Sequence, residues 1–192
     1  MNYTILNILS SLPGVPPSEA EEISRLFVPR KIKKKELLLK EGDLAQDLYF
    51  IVKGLLRDYI TGSSGREVTT HFATENSFLM EPGSLLNEVP AVYSIQALEE
   101  GTVLSLSREN LYVIFDQYPS GNRIGRLLTE IQLVRLGQKH LNYRAFTSEE
   151  RFENFNAFYP NVLERAPSYM VASFLGISRA TLHRLQTKRL RK

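Results

Sequence analysis

The chain has 192 residues and a mass of 21.9 kDa, room for one large or two small domains. Its 43% hydrophobic and 23% charged residues are an ordinary globular balance, which excludes a disordered or collagen-like polymer. With no cysteine and only three histidines (His71, His140 and His183), disulfides, cysteine nucleophiles, cysteine-held metals and a histidine-rich metal centre are excluded.

No apolar run approaches the roughly 18 residues that span a bilayer. Met1-Asn2-Tyr3-Thr4 lacks the basic and then apolar character of a signal peptide. The expectation is a cytoplasmic protein without a membrane partner.

The net charge of +3 is unevenly spread. From Arg179 onward the basic residues are Arg179, Arg184, Lys188, Arg189, Arg191 and Lys192, with no acid among them. That tail carries +6, leaving −3 for the 178 residues before it. The asymmetry points to a nucleic-acid contact near the C-terminus, against the alternative of a solvated basic tail.

In chain order, residues 1–29 read as short helices broken at Pro13-Gly14-Val15-Pro16-Pro17. Ser18 and Glu21 have capping-box spacing, which predicts a helix that restarts there and stops near Pro29. From about 30 to 106 the pattern is strands and turns. Leu48–Val52 is an apolar run closed by Gly54, and Leu55–Ile60 follows it. Thr61-Gly62-Ser63-Ser64-Gly65 has hairpin-loop character, with Val68, Thr70 and Phe72 alternating on the returning strand. Tyr93–Leu98 and Val103–Leu106 are expected to pair around Glu99-Glu100-Gly101. Short strands at this spacing predict a small barrel or roll, able to bury a core or surround a small ligand.

From Ser107 the period becomes helical. A helix near 108–117 should end before Pro119. Ile124, Leu127, Ile131, Val134, Gln138 and Leu141 then recur at steps of three and four, a seam over nearly three heptads. Leu128, Leu133 and Leu136 form a second apolar flank. One face is expected to meet the roll and the seam a second subunit, although packing on the chain's own roll would also satisfy the pattern. Thr147 and Glu150 form another capping box, opening a helix through Phe158 that Pro160 stops.

The last segment is the most informative. Pro167 suits a first helical turn, because its missing N–H would have had no partner there. Met170, Val171, Ala172, Phe174 and Leu175 follow, and Gly176 supplies a C-terminal stop. Ser178 caps a second helix from Arg179. Ala172 is small where the two helices approach, Gly176 admits positive φ, and Val171, Leu175, Ile177, Leu182 and Leu185 fill the angle between them. This is a helix-turn-helix pattern, and an ordinary helical hairpin would not explain a second helix that opens on arginine and ends in a basic run. Docked in a major groove, that helix would place Arg179 and Arg184 at guanine edges. Thr181 and His183 are candidate base or phosphate contacts and Ser178 a candidate phosphate contact, while Lys188 and Arg189, with Arg191 and Lys192, suit the backbone.

The order of parts resembles the cyclic-AMP receptor protein / fumarate–nitrate regulator (Crp/Fnr) family of bacterial transcription factors. The resemblance covers nearly the whole chain. It rests on Glu41-Gly42-Asp43, Tyr49-Phe50-Ile51-Val52-Lys53-Gly54, Tyr93-Ser94-Ile95-Gln96-Ala97 and the segment Pro167 to Leu185, and the short form looks like members common in Bacteroidetes. It implies an α+β fold: a cyclic-nucleotide-binding-like β-roll (a double-stranded β-helix) over residues 1–118, a dimerisation helix over 119–145, and a helix-turn-helix unit over 146–192. It also implies a homodimer on an inverted-repeat DNA operator, with RNA polymerase as a further partner. Arg179 and Arg184 match the family's DNA-reading arginines. Ala180 stands where several members carry glutamate, so the base preference should differ.

The effector site departs from the pattern. Nucleotide-binding members neutralise the cyclic phosphate with an Arg-Ser or Arg-Thr pair, preceded by a Gly-Glu whose acid takes the ribose. Here the pair reads Tyr93-Ser94, and Glu81 is the candidate acid. From Glu67 to Ser107 there is no lysine or arginine, whereas Glu67, Glu75, Glu81, Glu88, Glu99 and Glu100 are acids. A buried phosphate needs a cation or a dense nest of N–H donors. Any cation must therefore come from elsewhere, with Arg57 and Arg126 the candidates. A purely structural roll, an unidentified small-molecule effector and cyclic AMP remain the three readings, and the first two outweigh the third. No cofactor is expected, since the missing cysteines exclude an iron–sulfur sensor. A cupin-like metalloenzyme would need clustered His and carboxylate ligands, yet only His71 falls in the roll. The remaining alternative is an interaction module whose helix-turn-helix no longer binds DNA.

Overall fold

The computed structural model describes residues 3–190. Arg191 and Lys192 of the basic tail lie outside the described residues, as do the side chains of Gln138 and His140. Two helices, α1 (Tyr3–Ser11) and α2 (Pro17–Arg25), precede eight strands. These are β1 (Val28–Ile32), β2 (Leu37–Leu39), β3 (Asp47–Lys53), β4 (Leu56–Thr61), β5 (Glu67–Ala73), β6 (Phe78–Leu79), β7 (Ser94–Ala97) and β8 (Gly101–Ser107), with α3 (Pro82–Asn87) between β6 and β7. Then follow α4 (Arg108–Gln117), α5 (Gly121–Ala145), α6 (Ser148–Phe158), α7 (Val162–Arg165), α8 (Ser168–Leu175) and α9 (Arg179–Leu190).

The strands form two four-stranded antiparallel sheets, ordered β1-β8-β3-β6 and β2-β7-β4-β5. Facing each other, they bury Leu48, Phe50, Leu56, Ile95, Val103 and Leu104. The expected pairing of Tyr93–Leu98 with Val103–Leu106 does not occur. β7 and β8 lie in opposite sheets, as do β3 and β4, because the chain turns a corner between them rather than folding back. At that corner Gly101 is required: a Cβ there would sit 2.1 Å from the Lys53 carbonyl oxygen. The β4–β5 hairpin does form, closed by Gly62 N–H donating to the Arg66 carbonyl at 2.9 Å. A bulge beside Asp58 and Tyr59 breaks the simple alternation expected on β5. Thr69 and Phe72 are buried, whereas Val68 and Thr70 are half-buried.

Helix starts follow local chemistry. α2 begins at Pro17 with Pro16 as its N-cap and no side-chain cap bond, so the Ser18–Glu21 box is not used. Proline at the first position needs no partner for an N–H it lacks, and that puts the N-cap at Pro16, two residues before Ser18. The Thr147–Glu150 capping box does form and opens α6. On α5, among the described residues, only Ile124 of the seam and Leu128 of the flank join the roll's core. Beyond them the helix stands off the roll, leaving Ile131, Leu133, Val134, Leu136 and Leu141 between 42% and 67% exposed.

The C-terminal helices form a second core of Phe152, Phe155, Val162, Val171, Leu175, Leu182 and Leu185, which also takes in Leu55, Phe72 and Leu98 from the roll. The roll and the C-terminal unit are therefore packed together. Arg165 reinforces the junction, donating Nη1 to Glu75 at 3.0 Å and pairing with Glu99, while Thr69 N–H donates to Ser173 Oγ at 3.2 Å.

Candidate functional site

Two regions carry chemistry. The first is the helix-turn-helix. α8 ends at Gly176 in the left-handed conformation, φ 65°, which the tight turn requires and glycine adopts without strain. Ser178 then caps α9, its Oγ accepting the Thr181 N–H at 3.1 Å and sharing a hydroxyl–hydroxyl bond of 2.9 Å with Thr181. Val171, Ala172, Leu175, Leu182 and Leu185 are buried between the helices, so the orientation of α9 is set by packing.

The outward face of α9 carries Arg179, His183, Arg184, Lys188 and Arg189, all exposed. The Arg179 guanidinium rests 5.3 Å from the centre of the Tyr169 ring, a cation–π contact that holds it near the helix start. Lys188 pairs with Glu149 of α6 at 2.6 Å. Of the seven described residues expected at a DNA surface, Arg179, His183, Arg184 and Arg189 are exposed on one helix. Ser178 and Thr181 are engaged in the cap, and Lys188 is turned toward its acid.

The second region is a cavity of about 780 Å³ with walls from three parts of the chain. The roll contributes Asp58, Ile60, Thr70, His71, Glu81 and Tyr93. The long helix α5 contributes Leu133, Arg135 and Leu136, while Arg151 and Phe155 come from α6, Tyr159 from the position that follows it and Phe174 from α8. Glu81 is buried and serves as the N-cap of α3, accepting the Ser84 N–H. The Tyr93 hydroxyl donates to the Met80 carbonyl at 2.7 Å; burial, and then the nearby Asp58 charge, raise its pKa well above the usual phenol value. Ser94 is elsewhere. Strand alternation turns its hydroxyl to accept the Glu41 N–H at 2.9 Å, beside a separate shallow depression with Tyr59. Glu81 and Tyr93 are thus brought to one cavity and Ser94 to another place.

The cations beside this cavity are not those expected from the sequence. Arg57 pairs with Glu67, donates Nη2 to Gln96 at 2.7 Å, and covers the Tyr59 ring at 4.2 Å. Arg126 is exposed and pairs with Glu130 at 3.3 Å. Instead Arg135 enters from α5 and donates to Asp58 Oδ2 at 3.2 Å, with His71 Nδ1 3.4 Å from the same oxygen. Arg151 enters from α6, donating Nη1 to the Phe146 carbonyl at 3.1 Å. An acid within the apolar strand Leu55–Ile60 was the sequence signal for Asp58, since a carboxylate there needs a partner. Nothing in the spacing identified that partner as Arg135.

Residues 29–118 match the family model described as "Cyclic nucleotide-binding domain". The "Anaerobic regulatory protein" of Bacillus subtilis is 28% identical over 114 residues, covering 55% of this chain and 46% of that protein. The chain thus matches about half the length of this curated relative. FixK2 from Bradyrhizobium japonicum superposes with a TM-score of 0.73 at 18% identity, covering 84% of this chain and 83% of that one. The Thermus thermophilus catabolite activator protein does so with a TM-score of 0.55 at 23% identity, covering 92% and 84%. The chain therefore shares the fold of FixK2 and of the catabolite activator protein, the arrangement that the resemblance implied. Among the described residues no helix is long and apolar enough to cross a membrane.

Proposed function

We propose that the chain is a homodimeric, sequence-specific DNA-binding transcriptional regulator of the Crp/Fnr type, acting in the cytoplasm, and not an enzyme. The observation that carries this is the rigidly packed helix-turn-helix whose second helix presents Arg179, His183 and Arg184 to solvent behind a serine cap. A second copy, joined through the exposed Ile131, Val134 and Leu141 of the α5 seam, would present two such helices about a dyad, the geometry that reads inverted half-sites. RNA polymerase is the partner this reading adds.

The roll is the effector domain, and its ligand is not cyclic AMP. Glu81 caps α3, Tyr93 stands where the family carries arginine, and Arg135 is committed to Asp58, so a cyclic phosphate would meet acids and few available cations. Selection of bound duplexes from a random pool tests the reading: enrichment of an inverted repeat is expected, and recovery of unselected sequence alone would overturn it.

A further inference from the structure

We propose that the cavity between the roll, α5 and the helix-turn-helix binds a small aromatic molecule that carries both a hydrogen-bond donor and an acceptor. The inference deepens the effector half of the proposed function, and it rests on that reading only in treating the occupant as a regulator.

Size, wall chemistry and unmet hydrogen bonding agree. A cavity of about 780 Å³ falls in the range of small-molecule sites, roughly 300–1,000 Å³. Its C-terminal wall is aromatic: the ring centres of Phe155 and Tyr159 lie 5.3 Å apart and those of Tyr159 and Phe174 5.6 Å. Such a wall offers ring faces and edges to a flat ligand. Two buried polar atoms on the lining residues have no hydrogen-bond partner among the described residues, Asp58 Oδ1, an acceptor, and Arg151 Nε, a donor. The Asp58 side chain is only 2% exposed, so its second oxygen is desolvated without compensation until a donor reaches it.

The charges of Asp58 and Glu81 balance those of Arg135 and Arg151, which disfavours an occupant with more than one charge. The class that fits has an aromatic body, a donor for Asp58 and an acceptor for Arg151. Because α6 and α8 form part of the wall, such a ligand touches the sensor and the DNA-binding unit at once.

The test uses the full chain without DNA and two fluorescent probes that share one body. 8-Anilino-1-naphthalenesulfonate carries an N–H donor and a sulfonate acceptor, whereas N-phenyl-1-naphthylamine keeps the N–H and lacks the sulfonate. Saturable binding of one dye per chain is expected, with the sulfonate worth about tenfold in affinity through a charge-assisted bond. That advantage should collapse in Arg151→Met, and Leu133→Trp, which fills the mouth from an exposed position, should weaken both dyes. Cooperative melting checks that the variants fold, and Arg151→Lys, which also removes Nε, replaces a methionine variant that does not. Absence of saturable binding, an advantage unchanged in the Arg151 variant, or indifference to Leu133→Trp would each overturn the proposal. A duplex selection run in parallel separates the two readings: dye binding without DNA binding leaves this site standing and sinks the regulator, and the reverse sinks only the site.

Discussion

Phe72 on β5 and Phe174 on α8 meet with ring centres 5.5 Å apart, and Phe72 is fully buried although it sits on the outer surface of the roll. The C-terminal unit covers it. Phe155 and Tyr159 pack on the same ring at 6.0 and 6.3 Å, so one side chain of the roll anchors a cluster of four aromatic rings. Phe72→Ala should therefore cost about 3–5 kcal/mol, the range for a deleted buried phenylalanine. Denaturant unfolding measures it, and a loss below about 1 kcal/mol, typical of surface changes, would show the junction to be loose in solution.

The same junction should respond to acid. The Arg165 hydrogen bond holds the Glu75 carboxyl down to about 2 from the ordinary 4.5. A group whose pKa is lowered by folding stabilises fully above its unfolded value and loses that contribution as pH falls through the folded one. Wild type should thus lose stability relative to Glu75→Gln between pH 4.5 and 2. Melting temperatures of both proteins across that window decide. Parallel curves would mean that the pair contributes nothing there.

On the long helix, Ile131→Glu with Val134→Glu should yield a folded monomer, because both positions are exposed in the single chain and would be covered by the partner in the proposed dimer. Sedimentation velocity distinguishes a dimeric wild type from a monomeric variant. A wild type that stays monomeric at micromolar concentration removes the dimer.

For DNA, Arg179→Ala and Arg184→Ala should each cost about 1–3 kcal/mol on the best site and relax discrimination at one base pair per half-site. Arg189→Ala should instead weaken all duplexes alike and flatten the salt dependence by about 0.9 per lost phosphate contact. Lys188→Ala should do less, since Lys188 already pairs with Glu149. Affinities on specific and scrambled duplexes at several salt concentrations resolve the two kinds of effect. Equal losses on both duplexes for the Arg179 and Arg184 variants would make those side chains backbone contacts only.

Cyclic AMP should bind more weakly than micromolar by calorimetry. Tighter binding would mean that Arg135 leaves Asp58 for the phosphate, and Arg135→Gln would then abolish it.

The helix-turn-helix was legible in the residues because its constraints are local. Gly176 must adopt positive φ, Ser178 must cap, and a step of three and four places Val171, Leu175, Leu182 and Leu185 inward; each requirement acts within a few residues of the chain. The Thr147–Glu150 box and the span of α5 were legible for the same reason. Period alone also identified short strands, but not their neighbours. That β7 leaves β8 for the opposite sheet depends on a corner where Gly101 passes the Lys53 carbonyl, and on two sheets closing over one core. The cavity is of this second kind. Asp58 and Arg135 stand 77 residues apart, and a strand bulge, a helix standing off the roll and a docked C-terminal unit all had to act before they met. Side-chain period states which face of its own element a residue occupies, whereas only packing decides what stands opposite that face.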